Sequence, residues 1–138
     1  MSGGLILYWD TSAVISLLAE DIHTVKAMSV LRQSSVRLLS SLTIAETFAV
    51  LSRSGDGAIA SKKHTLLKDI SSGLWHLAHL VPHRETLASL SNVHSLRGAD
   101  LWHLGLVADL KSEIGELRMI TFDRNLAEAA RQEDALFE

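Results

Sequence analysis

The sequence predicts an α/β protein, a three-layer α/β/α sandwich around a mainly parallel sheet, with residues 1–138 forming one domain. Two observations lead there. Short apolar runs suited to buried strands alternate along the chain with longer stretches carrying apolar residues at helical spacing, and strands separated by helices favour a parallel sheet covered on both faces. The composition, 47% hydrophobic and 21% charged over 138 residues with one proline, is that of a globular domain with a real core.

Leu5 to Trp9 reads as a buried strand, and Asp10, Thr11 and Ser12 follow as strand exit and helix cap for Ala13 to Ala19. A second helix is expected from Thr24 to Gln33 and a short strand over Val36 to Leu39. Ser41, Leu42 and Thr43 then lead into a helix with Ile44, Phe48 and Leu51 on one face. Ser54 to Gly57 marks a turn. One helix is expected near Ala58 to Ser71, and a strand over Leu74 to Val81 ended by Pro82. Helices follow over Arg84 to Asn92 and Gly98 to Leu110, then a last strand over Leu117 to Phe122 and a closing helix over Leu126 to Glu133. The chain shows no internal repeat and no linker.

Four acids stand within or beside apolar stretches at element boundaries: Asp10, Glu46, Asp100 and Asp123. An isolated buried carboxylate is costly. In an α/β sheet the strand ends and helix starts meet at one crevice beyond the carboxyl edge, so acids from distant segments can converge there. Two carboxylates at about 4 Å repel by roughly 4 kcal/mol at an effective dielectric near 20, which a bound cation relieves. Oxygen ligands in a chain without cysteine favour Mg²⁺ or Mn²⁺ over zinc. Each acid alone has a plainer reading. Asp10 and Asp123 could be helix caps, Glu46 a first-turn acid favoured by the helix dipole, and Asp100 a partner of Arg97.

A net charge of −3 argues against a general electrostatic grip on nucleic acid, so any such binding must be local or metal-assisted. The absence of cysteine removes disulfides and thiolate metal sites and favours a cytoplasmic location. The amino-terminal stretch MSGGLILYWDTS has too short an apolar run, and no basic start, for a signal peptide or membrane span.

Taken in order, the strand ending in Asp10-Thr11-Ser12, Thr43-x-x-Glu46, Arg97-x-x-Asp100-x-x-His103 and Thr121-Phe122-Asp123-x-x-Leu126-x-x-Ala129-Ala130 resemble the PIN-domain ribonucleases, most closely small toxins of the VapC type from toxin and antitoxin pairs. The resemblance covers essentially the whole chain. It implies a metal site of Asp10, Glu46, Asp100 and Asp123, with Asp10 and Asp100 as direct ligands and the other two acting partly through water. It also implies hydrolysis of RNA phosphodiesters by a metal-activated water, a homodimer, and a cognate antitoxin that blocks the cleft. Ser12 and Thr121 are hydroxyls beside the acids, suited to orienting a carboxylate or a metal-bound water.

Other residues are less telling. Arg97 could hold Asp100, touch the scissile phosphate or lie exposed, and His103 could edge the cleft or pack structurally. Lys62, Lys63 and Lys68, with His64, form the compact basic group; they could track RNA backbone or line a solvated helix face. Trp9, Trp75 and Trp102 read as core or dimer contacts. A PIN-like RNA- or protein-binding module without catalysis is the alternative function. A phosphatase using Asp10 as nucleophile has little support, because no second aspartate stands two residues further on.

Overall fold

The computed structural model of the chain describes residues 4–138; the first three residues of the amino-terminal stretch discussed above lie outside the described residues. Four strands, β1 (Leu5–Trp9), β2 (Ser34–Ser40), β3 (His76–Ala78) and β4 (Arg118–Ile120), form one sheet in the order β3-β2-β1-β4, and every pairing is parallel. Between them run α1 (Thr11–Leu18) and α2 (Thr24–Gln33), then α3 (Ser41–Arg53), α4 (Gly57–Ala60) and α5 (Lys62–Ser71), then α6 (Arg84–Val93) and α7 (Gly98–Glu113), with α8 (Arg124–Gln132) after β4.

The period-2 alternation of a strand explains the layering. In β1, Leu7 and Trp9 join one core with Ala13, Val14, Ala27, Val30 and Leu66, whereas Tyr8 points to the opposite core with Leu104, Val107, Leu117 and Leu126. β4 splits likewise, Met119 to the second core and Ile120 to the first. Helices α1, α2, α3 and α5 therefore cover one face and α6, α7 and α8 the other, which is the expected three-layer sandwich. Burying a large apolar side chain such as Leu7 in this way stabilises by roughly 1.5–3 kcal/mol.

The helices leaving β1 and β4 go to opposite faces, although these strands are hydrogen-bonded neighbours. Their carboxyl ends thus flank a topological switch point, where a crevice opens because no helix crosses above it. Asp10 follows β1 directly, and Asp123 comes three residues after β4.

Three details depart from the sequence reading. The helix expected over Ala58 to Ser71 breaks at Ser61, which closes α4 through hydrogen bonds back to Gly57 and Ala58. The strand expected over Leu74 to Val81 shrinks to His76–Ala78, because its partner β2 ends at Ser40, opposite Ala78; Leu80 and Val81 are left exposed. β2 also runs straight into α3 with Ser40 as cap, so Thr43 does not open the helix and Glu46 lies in its second turn rather than its first.

α6 obtains its cap from another helix. His83 precedes α6 without a capping side-chain bond of its own, and Asp109 of α7 accepts the His83 amide at 2.7 Å and the Thr86 hydroxyl at 2.6 Å. Burial works to raise the Asp109 carboxyl, but these bonds outweigh it and hold the group below its ordinary range. Near this junction α6 and α7 approach at Gly105, where a Cβ would stand 3.1 Å from Pro82 Cβ and 2.7 Å from a methyl of Leu87.

Candidate active site

Asp10 is 3% exposed and caps α1, its Oδ1 accepting the Ala13 amide at 3.0 Å. The same oxygen accepts the Ser12 hydroxyl at 2.7 Å, and Oδ2 accepts the Thr121 hydroxyl at 2.6 Å. Burial raises this carboxyl, with the three hydrogen bonds opposing. Ser12 also receives the Phe122 amide at 2.9 Å, and Thr121 receives the Asp123 amide at 3.1 Å. Each hydroxyl thus ties the end of β1 to the loop leaving β4.

Glu46 reaches the same cleft from α3. Its Oε1 accepts the Thr11 hydroxyl at 2.7 Å and lies 2.8 Å from His103 Nε2. The His103 bond does most to lower its carboxyl; burial opposes, and Thr11 adds to the lowering. Asp100, in the first turn of α7, is half-buried, and burial raises it, reinforced by the charges of Asp123 and Glu46. Asp123 caps α8 through the Leu126 amide at 2.9 Å.

All four acids line one cleft of about 380 Å³. Asp10 and Glu46 come from elements of the first helical layer, Asp100 and Asp123 from the second. Among the described residues no lysine or arginine lines it. Among the described residues no three acidic or histidine side chains stand ready to cage one ion. The donor set is nevertheless all oxygen, and neither oxygen of Asp100, nor the second oxygens of Glu46 and Asp123, has a hydrogen-bond partner among the bonds described above. That suits a hard cation taking one or two carboxylates and completing its shell with water.

The other expected residues lie elsewhere. Arg97 stands just before α7, exposed, outside the cleft and without a capping side-chain bond, and its charge only modestly lowers Asp100. Lys62 lines a separate cavity with Leu17, Met28 and Trp75, Lys63 donates to Ser52 at 3.0 Å, and Lys68 is exposed on α5. None of the three reaches the acids. Trp9 and Trp75 are core residues in edge-to-face contact at 5.4 Å, and Trp102 packs edge-on to His103.

Several cleft residues were not picked out from the sequence. Thr11 holds Glu46, and Asp21 adds a fifth carboxylate, held by Ser16 at 2.8 Å and by the His23 amide at 2.7 Å. His23 stacks on Phe122 with ring centres 4.5 Å apart to form one wall. The only available signal was adjacency, Thr11 beside Asp10 and Phe122 beside Asp123.

A family-level comparison matches residues 7–132 to the PIN domain, and the chain belongs to that family. No curated protein matches the sequence. Among solved structures, the chain is similar to PAE2754 from Pyrobaculum aerophilum, at 21% identity and a TM-score of 0.64, covering 96% of this chain and 88% of the other. It is also similar to VapC20 of Mycobacterium tuberculosis, described as a sarcin-ricin loop cleaving toxin, at 17% identity and a TM-score of 0.62, covering 89% and 94%. FitAcB from Neisseria gonorrhoeae matches at 17% identity and a TM-score of 0.63, covering 96% and 97%. These likenesses establish the fold.

Proposed function

We propose that this PIN-domain protein is a Mg²⁺- or Mn²⁺-dependent endoribonuclease, the toxin of a toxin and antitoxin pair, and that residues 1–138 act as a single domain. The observation that carries the reading is the cleft itself: the four predicted acids, two from each helical layer, meet there together with Asp21, and no lysine or arginine is among its lining residues in the described chain. A cluster of that kind suits a cation and, through the cation, an anionic phosphodiester.

Asp10 and Asp100 would hold the ion, with Glu46 and Asp123 acting partly through water. When bound, the ion supplies charge neutralisation at the phosphate and lowers the pKa of a water. The chain's own residues do the positioning. Ser12 and Thr121 fix both oxygens of Asp10. Glu46 keeps Oε1 occupied by Thr11 and His103, leaving Oε2 for the cation or one of its waters.

The cognate antitoxin is supported by the likeness to one structure described as a toxin and by the apolar rim. Ile22 and Val25, 92% and 82% exposed, flank His23 of the cleft wall, and Val50 lines the cleft, so a partner inserted there would bury apolar surface. A homodimer fits the exposed Leu80 and Val81 beside α7. Among the described residues no helix is long and apolar enough to cross a membrane. A cytoplasmic location accords with an RNA substrate and a cysteine-free chain.

Cleavage of total cellular RNA by antitoxin-free protein, with Mg²⁺, Mn²⁺ or EDTA, tests the reading beside Asp10→Asn and Asp100→Asn. Discrete cuts that vanish with EDTA and in both variants are expected. Folded protein that cuts no RNA, yet binds RNA or a partner equally with and without EDTA, would instead identify a binding module.

A further inference from the structure

We propose that His103, held by Tyr8, is a positioning residue that sets the orientation of the Glu46 carboxylate for cation binding. This inference rests on the metal-nuclease reading above and adds an assignment that the four acids alone do not contain.

The geometry is a buried chain of hydrogen bonds. His103 is 1% exposed, its Nδ1 lies 2.6 Å from the Tyr8 hydroxyl, and its Nε2 lies 2.8 Å from Glu46 Oε1. An ionised carboxylate only accepts, so Nε2 carries the proton toward Glu46. In the neutral ring Nδ1 is then an acceptor, which the Tyr8 hydroxyl fills by donating. The Tyr8 oxygen in turn lies 2.8 Å from Ser40 Oγ and 3.4 Å from Thr43 Oγ1. Ser40 caps α3 by accepting the Thr43 amide, and Thr43 donates to the Trp9 carbonyl at 3.2 Å.

The chain therefore begins at the cap of α3 and ends on the acid that α3 carries, passing through β1 and α7. Glu46 sits in the second turn of α3, on a long side chain with several rotamers, and is only partly buried. Two donors on one oxygen fix that rotamer before any cation arrives and leave the second oxygen available in a residue that lines the cleft. Tyr8 acts on Glu46 through the imidazole, which without the hydroxyl would lose the bond that specifies its tautomer and ring orientation. Outer residues of this kind typically change metal affinity or activity by roughly 10–100-fold when removed.

The test compares His103→Leu, His103→Gln and Tyr8→Phe with the wild type by three measurements: thermal melting in EDTA, calorimetric Mn²⁺ titration, and kcat and KM on a cleaved RNA. His103→Gln keeps an amide to donate to Glu46, and Tyr8→Phe keeps the ring while deleting the hydroxyl. Weakened Mn²⁺ binding is expected, roughly tenfold or more in His103→Leu and less in Tyr8→Phe, with kcat falling more than KM rises and His103→Gln recovering part of both. Should His103→Leu fail to fold, Tyr8→Phe and His103→Gln carry the comparison. Variants that fold, bind Mn²⁺ and cleave like the wild type would overturn the proposal and leave the nuclease reading standing. A wild type that neither binds Mn²⁺ nor cleaves RNA would overturn both.

Discussion

Thr121 donates its hydroxyl to Asp10 Oδ2 at 2.6 Å, joining residues 111 positions apart in the chain at the point where β1 and β4 end. The contact is buried, and the Thr121 oxygen also receives the Asp123 amide, so one hydroxyl serves two of the four acids. Thr121→Val keeps the shape and deletes the hydroxyl. It should cost about 1–3 kcal/mol, because a buried carboxylate oxygen and an amide both lose their partner. Denaturant unfolding measures this, and RNA cleavage by the variant should fall with it.

Asp10→Asn separates stability from activity. Burial makes the Asp10 charge costly in the free protein, whereas the amide replaces one acceptor oxygen by a donor, so the two effects oppose and the melting temperature in EDTA should change little. Cleavage of RNA should fall by roughly 10²–10³-fold, the scale on which a single preorganised electrostatic group acts. Melting and cleavage measured on the same preparation test the two halves together.

The cap that α7 lends to α6 gives a pH dependence remote from the cleft. Asp109 titrates below its ordinary value when folded, so its contribution is present above the unfolded pKa of about 4 and is lost as pH falls through the lower folded value. Asp109→Ala should cost about 1 kcal/mol at neutral pH, the usual effect of losing a cap. The difference in melting temperature between wild type and variant should shrink as pH is lowered from about 7 to about 3.

Gly105 permits the close approach of α6 and α7. The Leu87 methyl can move aside, but Pro82 is rigid, so Gly105→Ala should be destabilising by about 1–3 kcal/mol despite the better helix propensity of alanine. A rise in melting temperature would show that the interface relaxes freely.

Much of this was legible in the sequence because its signals are local. Leu5 to Trp9 could only be a buried strand, and Asp10 after it had to be a cap, an acid of the cleft, or both. What was not legible depends on which segments meet. His103 shows its role only once Tyr8 and Glu46 are known to stand on either side of it, and those contacts span 95 and 57 residues. The basic group on α5 was a candidate for RNA backbone, and the sequence did not reveal that none of its lysines lines the cleft of the acids. The truncation of β3 follows from where β2 ends, a fact absent from the β3 segment itself.

The split origin of the four acids has a mechanical consequence. Glu46 and the helix capped by Asp10 are anchored in one core, Asp100 and Asp123 in the other, so the acids reach the cleft from layers on opposite faces of the sheet. A cation gripped from both sides would brace the layers against sliding past each other, and the whole molecule would feel it. Mn²⁺ at about 100 times its dissociation constant should add about 2.7 kcal/mol of stability, provided the unfolded chain does not bind it. Filling the cleft would then stiffen regions distant from any acid, and amide exchange in both outer layers would slow together.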